Sequence, residues 1–336
     1  MLAFLSSLVA SRRRRRNYDE DVLRTLARIA ASLERLENAL RSQTGDGTTS
    51  SSNRHASGEP AVFDVAEIEA ESGAFFNDPS LLVAELERRG FHVVELAEDG
   101  RSCEPIDALA MKIGANFHLM EPIILELKRA LQEGRSVRKR LDGYSGSEIA
   151  RILEVTREMH RLAFLSTCEY QSSPRYVLTV HANPGPLATE FINGYWLERY
   201  VRMVTADALI RRCARLPLSL ATNVKAVGRS GTAHEFDLMF MCGDTLFWVE
   251  AKTGDYQTCI EKYATLRKSL GMEPEKAICV VAGIDAMIAR NLSEIWELTV
   301  VPVGEYAHRI DELLEAHGRA SALRDEPTSY LCATRA

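Results

Sequence analysis

Two apolar runs, Phe236–Cys242 and Thr245–Ala251, flank the dipeptide Gly243-Asp244. That spacing predicts two strands joined by a tight turn. Side chains in a strand alternate, so the first run predicts Phe236, Leu238 and Phe240 on one face. In the second run Glu250 and Lys252 share a face. Both runs are apolar on both faces apart from Asp237, Glu250 and Lys252, the mark of strands covered on both sides. Upstream, Leu187–Val204 predicts a helix with Phe191, Trp196, Leu197, Tyr200, Val201 and Val204 as its apolar side and Glu198 within it. A strand over Leu218–Val227 follows. Downstream come a helix over Tyr256–Leu270 with Asp255 as its N-cap, and a strand over Ala277–Ala282. A further helix, Ala286–Leu292, and strand, Leu298–Val303, extend the series. The order αβββαβ gives the fold class, a mixed α/β (α+β) core.

The stretch before this core is rich in helix patterns. Asp78-Pro79 opens one that Gly90 closes, and the strand Phe91–Leu96 follows. Further helices are expected over Pro105–Ile113, Met120–Gln132, Val137–Leu141 and Ser147–Ala163. Candidate strands lie at Phe164–Tyr170 and Arg175–His181. Three helices followed by a hairpin match a winged helix-turn-helix, in which Arg151, Arg157 and Arg161 face outward and Arg135, Arg138, Lys139 and Arg140 contact phosphates. A plain helical domain with solvated basic faces fits the same pattern. Near the N-terminus, Val22, Leu26, Ile29, Leu33, Leu36 and Leu40 make a narrow stripe suited to self-association as a homodimer through a short coiled coil. Ser42–Pro60 has the composition of a flexible linker. The organisation is therefore a helical tail (1–42), a linker (43–60), a helix-rich middle region (61–173), the αβββαβ domain (174–320) and a C-terminal tail (321–336).

Charge adds one constraint. The 336-residue chain carries a net charge of −6, so any nucleic-acid binding must use local basic patches. The seven cysteines form no CxxC pair and several sit inside apolar runs, which fits a reducing, cytoplasmic setting. No apolar run reaches the length of a membrane span. Met1–Ala10 is apolar and Arg12–Arg16 follows it. This order is wrong for a secretory signal, and a solvated terminus is favoured over membrane association through residues 1–16.

Charges buried in a central sheet are costly unless paired or bound to a metal. Asp237 and Glu250 on adjacent strands can hold Mg²⁺ or Mn²⁺ through oxygen. The metal would neutralise charge on a scissile phosphate and acidify a water. Lys252 points into the same space and can position or deprotonate the attacking water.

Asp237, followed by Glu250-Ala251-Lys252, resembles the PD-(D/E)xK, or restriction-endonuclease-like, nuclease superfamily, with Phe236 where the motif's name has proline. The phrase Phe191–Val201, with Glu235-Phe-Asp237 and Glu250-Ala-Lys-Thr-Gly254, is similar to the nuclease domain of CRISPR-associated nucleases activated by cyclic oligoadenylate. That resemblance covers about residues 175–305 and leaves out their sensor domain, so activation by a cyclic nucleotide is not implied. It implies metal ligation by Asp237, Glu250 and the Ala251 carbonyl, with Glu198 on a second metal or its water. It also implies that Gln257 touches the site. Lys262 falls on a face that either meets phosphates or is solvated. The expected function is a metal-dependent endonuclease acting on DNA rather than RNA, in defence against foreign nucleic acid. Two other classes stay open: a catalytically silent nucleic-acid-binding protein on the same fold, and a tethered regulator dominated by the N-terminal segment.

Overall fold

A computed structural model describes residues 78–96 and 104–324, with Ile68 and Phe76. The expected N-terminal tail and linker, and residues 325–336, lie outside the described residues.

Helix α1 (Ser80–Arg88) and strand β1 (His92–Glu95) come first. Helices α2 (Glu104–Ala115) and α3 (Phe117–Glu133) follow, and Gly134, at φ +65°, ends α3. The next segment corrects an expectation. Val137–Leu141 is not helical; β2 (Val137–Arg140) is a strand paired antiparallel with β4 (Val177–Ala182). Its charges follow a period of two. Val137 is buried and Lys139 half-buried, whereas Arg138 and Arg140 are exposed. A helical turn would not give that alternation. Helix α4 (Gly146–Arg161) opens with a capping box: Ser145 Oγ accepts from the Glu148 amide, and the Glu148 carboxylate accepts from the Ser145 amide. Strand β3 (Leu165–Gln171) completes a small sheet in the order β2-β4-β3.

The second half begins with α5 (Pro186–Glu190), a wide π-type turn over Phe191–Tyr195, and the long helix α6 (Trp196–Cys213). Then come β5 (Leu218–Val227), β6 (Ala233–Cys242) and β7 (Thr245–Lys252). Helix α7 (Ile260–Ser269), β8 (Ala277–Val281), α8 (Ala286–Trp296), β9 (Thr299–Pro302) and α9 (Tyr306–Arg324) finish the chain. The expected αβββαβ core is present. Asp255 is not the cap of α7: it takes a left-handed conformation at φ +49°, and a separate short 3-10 turn, Tyr256–Thr258, precedes the helix.

The main sheet has the order β1-β5-β6-β7-β8-β9. Its first four strands pair antiparallel, while β7, β8 and β9 run parallel. One face carries Leu238, Phe240, Phe247, Val249, Ile278 and Val280, which pack in the same cluster as buried residues of α2, α3, α4, α6 and α9. The other face carries Met239, Met241, Leu246, Trp248 and Val281, which pack with α1 and α7. Apolar residues of both the middle region and the C-terminal core share the first cluster, and Ala61–Ala336 forms one compact unit.

One irregularity positions everything below. In β6, Leu238, Phe240 and Cys242 belong to one cluster, but Phe236 belongs to the opposite one with Met239 and Met241. The expectation that Phe236 shares a face with Leu238 fails because the strand changes phase at Asp237. β5 does the same. Leu218 and Leu220 lie on one side, and Ala221, Val224 and Ala226 on the other. The pairs Thr222↔Leu238 and Val224↔Phe236 flank the break, and between them Asn223 sits at φ +49°, a conformation asparagine tolerates.

The middle region is locked to α6 by close contact and charge. A Cβ on Gly114 of α2 would fall 2.2 Å from the Tyr200 ring, so only glycine allows this approach. Asp107 of α2, fully buried, takes two hydrogen bonds from the Arg199 guanidinium. Removing one member of such a pair strands the other in the interior. Asp107→Ala should therefore cost about 3–5 kcal/mol of unfolding free energy in urea titration. A loss under about 1 kcal/mol would contradict the buried pairing.

Candidate active site

The site is built where two strands part. The β6–β7 ladder ends at Leu238↔Val249, whereas β7 continues to pair with β8 through Lys252↔Val281. Beyond Leu238 the backbone of β7 has lost a neighbour on one side. Side chains fill that role: the Asp237 carboxylate accepts the Ala251 amide at 2.9 Å, and the Glu250 carboxylate accepts the Asp237 amide at 3.3 Å. Each acid thus bonds to the backbone of the other's strand, which fixes both relative to the wedge.

Lys252 closes the cluster. Its ammonium lies 3.0 Å from Asp237 Oδ2 and 3.1 Å from Glu250 Oε2. Trp248, two residues before Glu250 on the same face of β7, donates its indole N–H to Glu250 Oε1 at 2.9 Å. From α7, Tyr263 places its ring 5.6 Å from the Lys252 ammonium. The two carboxylates raise the Lys252 pKa against its burial, so the ammonium stays charged. Burial, with Asp237 adding to it, raises the pKa of Glu250. The sequence places Trp248 in reach of Glu250 by strand periodicity alone. Nothing in the spacing announces Tyr263.

Glu198 joins from the helix layer. It lies in the first turn of α6, where burial pushes its carboxyl up to about 8; Asp237 adds to the shift and Lys252 opposes it. The turn before it explains the placement. Thr253, immediately after Lys252, donates from Oγ1 to the Asn193 carbonyl at 2.5 Å. A Cβ at Gly194 would come within 3.1 Å of the same hydroxyl. The π-type turn exposes that carbonyl and ties the start of α6 to the end of β7.

The remaining candidates are more dispersed. Gln257 is exposed on the short turn after β7, with no hydrogen bond to the cluster. Lys262 is exposed on α7. Lys139 is bound to Glu126 at 3.0 Å and Arg140 to Asp142 at 2.6 Å. Of that basic triplet only Arg138 has no acidic partner among the described residues.

Asp237 and Glu250 offer carboxylate oxygens to one ammonium, and the charges of all three act on Glu198; carboxylate oxygens are the ligands that hard divalent cations such as Mg²⁺ and Mn²⁺ take. Among the described residues no three His, Cys, Asp or Glu side chains already converge at metal-ligand distance. The ammonium of Lys252 is what lies between Asp237 and Glu250.

No protein-family model matches the chain, and no curated protein matches it. Its fold is similar to several solved structures, among them the following two. Protein VC1899 from Vibrio cholerae is 17% identical, with 71% of this chain and 62% of that one covered and a TM-score of 0.46. Can2 from Sulfobacillus thermosulfidooxidans, solved in complex with cyclic tetra-adenylate, is 16% identical, with 71% and 61% covered and a TM-score of 0.48. This chain thus spans about three fifths of the length of those proteins. No helix among the described residues is long and apolar enough to cross a membrane.

The raised carboxyls set a pH dependence. Unfolded, both glutamates ionise near 4.5; folded, Glu198 holds its proton up to about 8 and Glu250 is raised in the same direction. The native state therefore binds more protons than the unfolded state within that window, and stability falls as pH rises through it. In EDTA, stability should decline between pH 5 and pH 8 by on the order of a few kcal/mol, and Glu198→Gln should flatten the decline. Parallel pH profiles for the two proteins, followed by urea unfolding, would contradict the placement of Glu198 beside the cluster.

Proposed function

We propose that this protein is a metal-dependent nuclease of the PD-(D/E)xK type that hydrolyses phosphodiester bonds, acting as an endonuclease on DNA. The observation that carries the reading is the strand wedge, with Asp237 and Glu250 cross-bonded to each other's backbone and Lys252 within 3.1 Å of both. Such a cluster contributes little as a structural ion pair, since a buried pair seldom outweighs its desolvation. It is well suited to a reaction that develops charge on phosphate.

Asp237, Glu250, Glu198 and the Ala251 carbonyl would hold Mg²⁺ or Mn²⁺. The cation would supply Lewis acidity toward the phosphate and counter-charge for the acids. The chain's own groups do the rest. Lys252, which lies between the two carboxylates, would orient the attacking water and stabilise negative charge on the phosphate oxygens. Glu198, its carboxyl pushed up to about 8 by burial, would hold a proton at neutral pH and give it up on serving as a ligand. Trp248 keeps Glu250 from rotating, and the Thr253–Asn193 bond holds α6 against the strands. The sequence resemblance extends the reading to defence against foreign nucleic acid.

One observation favours a second reading. The Lys252 ammonium already bonds both acids, an arrangement that also fits a silent fold keeping a charged surface for phosphate. The two readings differ in turnover. Plasmid DNA and single-stranded RNA incubated with the full chain in Mg²⁺, Mn²⁺ or EDTA should show metal-dependent cleavage, of DNA above all. Asp237→Ala or Glu250→Ala should reduce it by at least about 100-fold, as loss of a charge-stabilising group does. Wild-type rates in either variant would overturn the site. Nucleic-acid binding without cleavage under every metal condition would favour the silent fold.

A further inference from the structure

The nuclease reading leaves a gap in charge. Lys252 is held by two carboxylates, so the wedge presents no free positive group to an incoming polyanion. Helix α3 touches the segments that follow β7 and β8. Lys128 on α3 donates to the Thr253 carbonyl at 3.0 Å, at the residue that follows Lys252. Two turns earlier on the same helix, a Cβ built on Gly283, just past β8, would fall 3.6 Å from the Glu121 carboxylate. Leu125, between them on that face, is 39% exposed.

We propose that Lys128 is a substrate-binding residue of this site, a ligand for a backbone phosphate of the nucleic acid next to the one cleaved. The proposal rests on the nuclease reading.

Lys128 differs from the other lysines of the chain. Lys112, Lys139, Lys225, Lys252, Lys268 and Lys276 each sit within 3.1 Å of a carboxylate. Lys262 is exposed and needs none. Lys128 is half-buried and has no acidic partner among the described residues. Its own helix cannot provide one, because the positions one turn away are Ile124, Leu125, Leu131 and Gln132. A cation withdrawn from water without a counter-charge is unfavourable, and here burial lowers its pKa to about 8. An ammonium has three N–H donors, and one is committed to Thr253. The other two can be satisfied by phosphate oxygens. Such a contact positions the strand without reading its bases. The exposed Leu125 on the same helix face gives a sugar an apolar surface to lie against.

The test is binding by the full-length chain of a labelled DNA duplex in EDTA, across a salt series, so that cleavage does not intervene. Lys128→Ala should weaken binding by roughly tenfold, the size expected for a lost charge-assisted hydrogen bond. It should also lower the slope of log affinity against log salt by about 0.9, one phosphate's share. Lys128→Arg should keep the slope, and neither variant should melt below the wild type. Wild-type affinity and slope in Lys128→Ala would overturn the inference and leave the nuclease reading intact. Loss of affinity in both variants, with a lowered melting temperature, would make Lys128 a strut for the Thr253 loop and would also overturn it. A wild-type chain with no affinity for nucleic acid would overturn both readings together.

Discussion

Charge must be compensated at the point where β6 leaves β7. A sheet interior does not hold carboxylates without partners. Here Asp237 and Glu250 replace the missing ladder bonds, each accepting an amide from the other's strand, and Lys252 offsets their charge. The same bonds that make the wedge tolerable also aim the carboxylate oxygens. Structural necessity and site geometry are thus one arrangement. Once Glu198 is added, acids outnumber the single ammonium, and burial leaves Glu198 and Glu250 holding protons well above their usual range.

The surrounding elements serve that wedge. The paired phase change at Asn223 and Asp237 turns Phe236 to the opposite face of the sheet from Leu238, which opens β6 away from β7. The π-type turn at Phe191–Tyr195 brings α6 to the loop after Lys252. The buried Asp107–Arg199 pair fastens α6 in turn to α2. Helices α2 and α3 therefore belong to the packing that fixes the site, although no candidate metal ligand comes from them.

Much of this was legible in the amino-acid sequence. The runs around Gly243-Asp244 are apolar at nearly every position, so the charges at Asp237, Glu250 and Lys252 stand out against them. Strand bounds at Leu218–Val227 follow from the same density of apolar residues. What was hidden depends on tertiary contact or local backbone. Phe236 reads as a regular strand residue because the phase change at Asp237 is paired with a left-handed residue, Asn223, on a different strand. Val137–Leu141 reads as helix in the sequence, and only the pairing of Val137–Arg140 with β4 makes its alternation meaningful. Asp255 has the chemistry of a cap, but Gly254 before it and a left-handed turn at Asp255 itself carry the chain past that position. Tyr263 reaches the Lys252 ammonium, and Lys128 the Thr253 carbonyl, from helices far apart in sequence, and no spacing rule connects them to Glu250.

As proposed, the cluster would bind a divalent cation in exchange for protons held on its buried acids. The decisive measurement is calorimetric titration of the full chain with Mn²⁺ near pH 7, in two buffers of different ionisation enthalpy. Binding should release protons from Glu198 and Glu250, so the measured heats should differ between the buffers, and Glu250→Gln should abolish or severely weaken binding. No saturable binding in the wild type, or binding with identical heats in both buffers, would contradict the account.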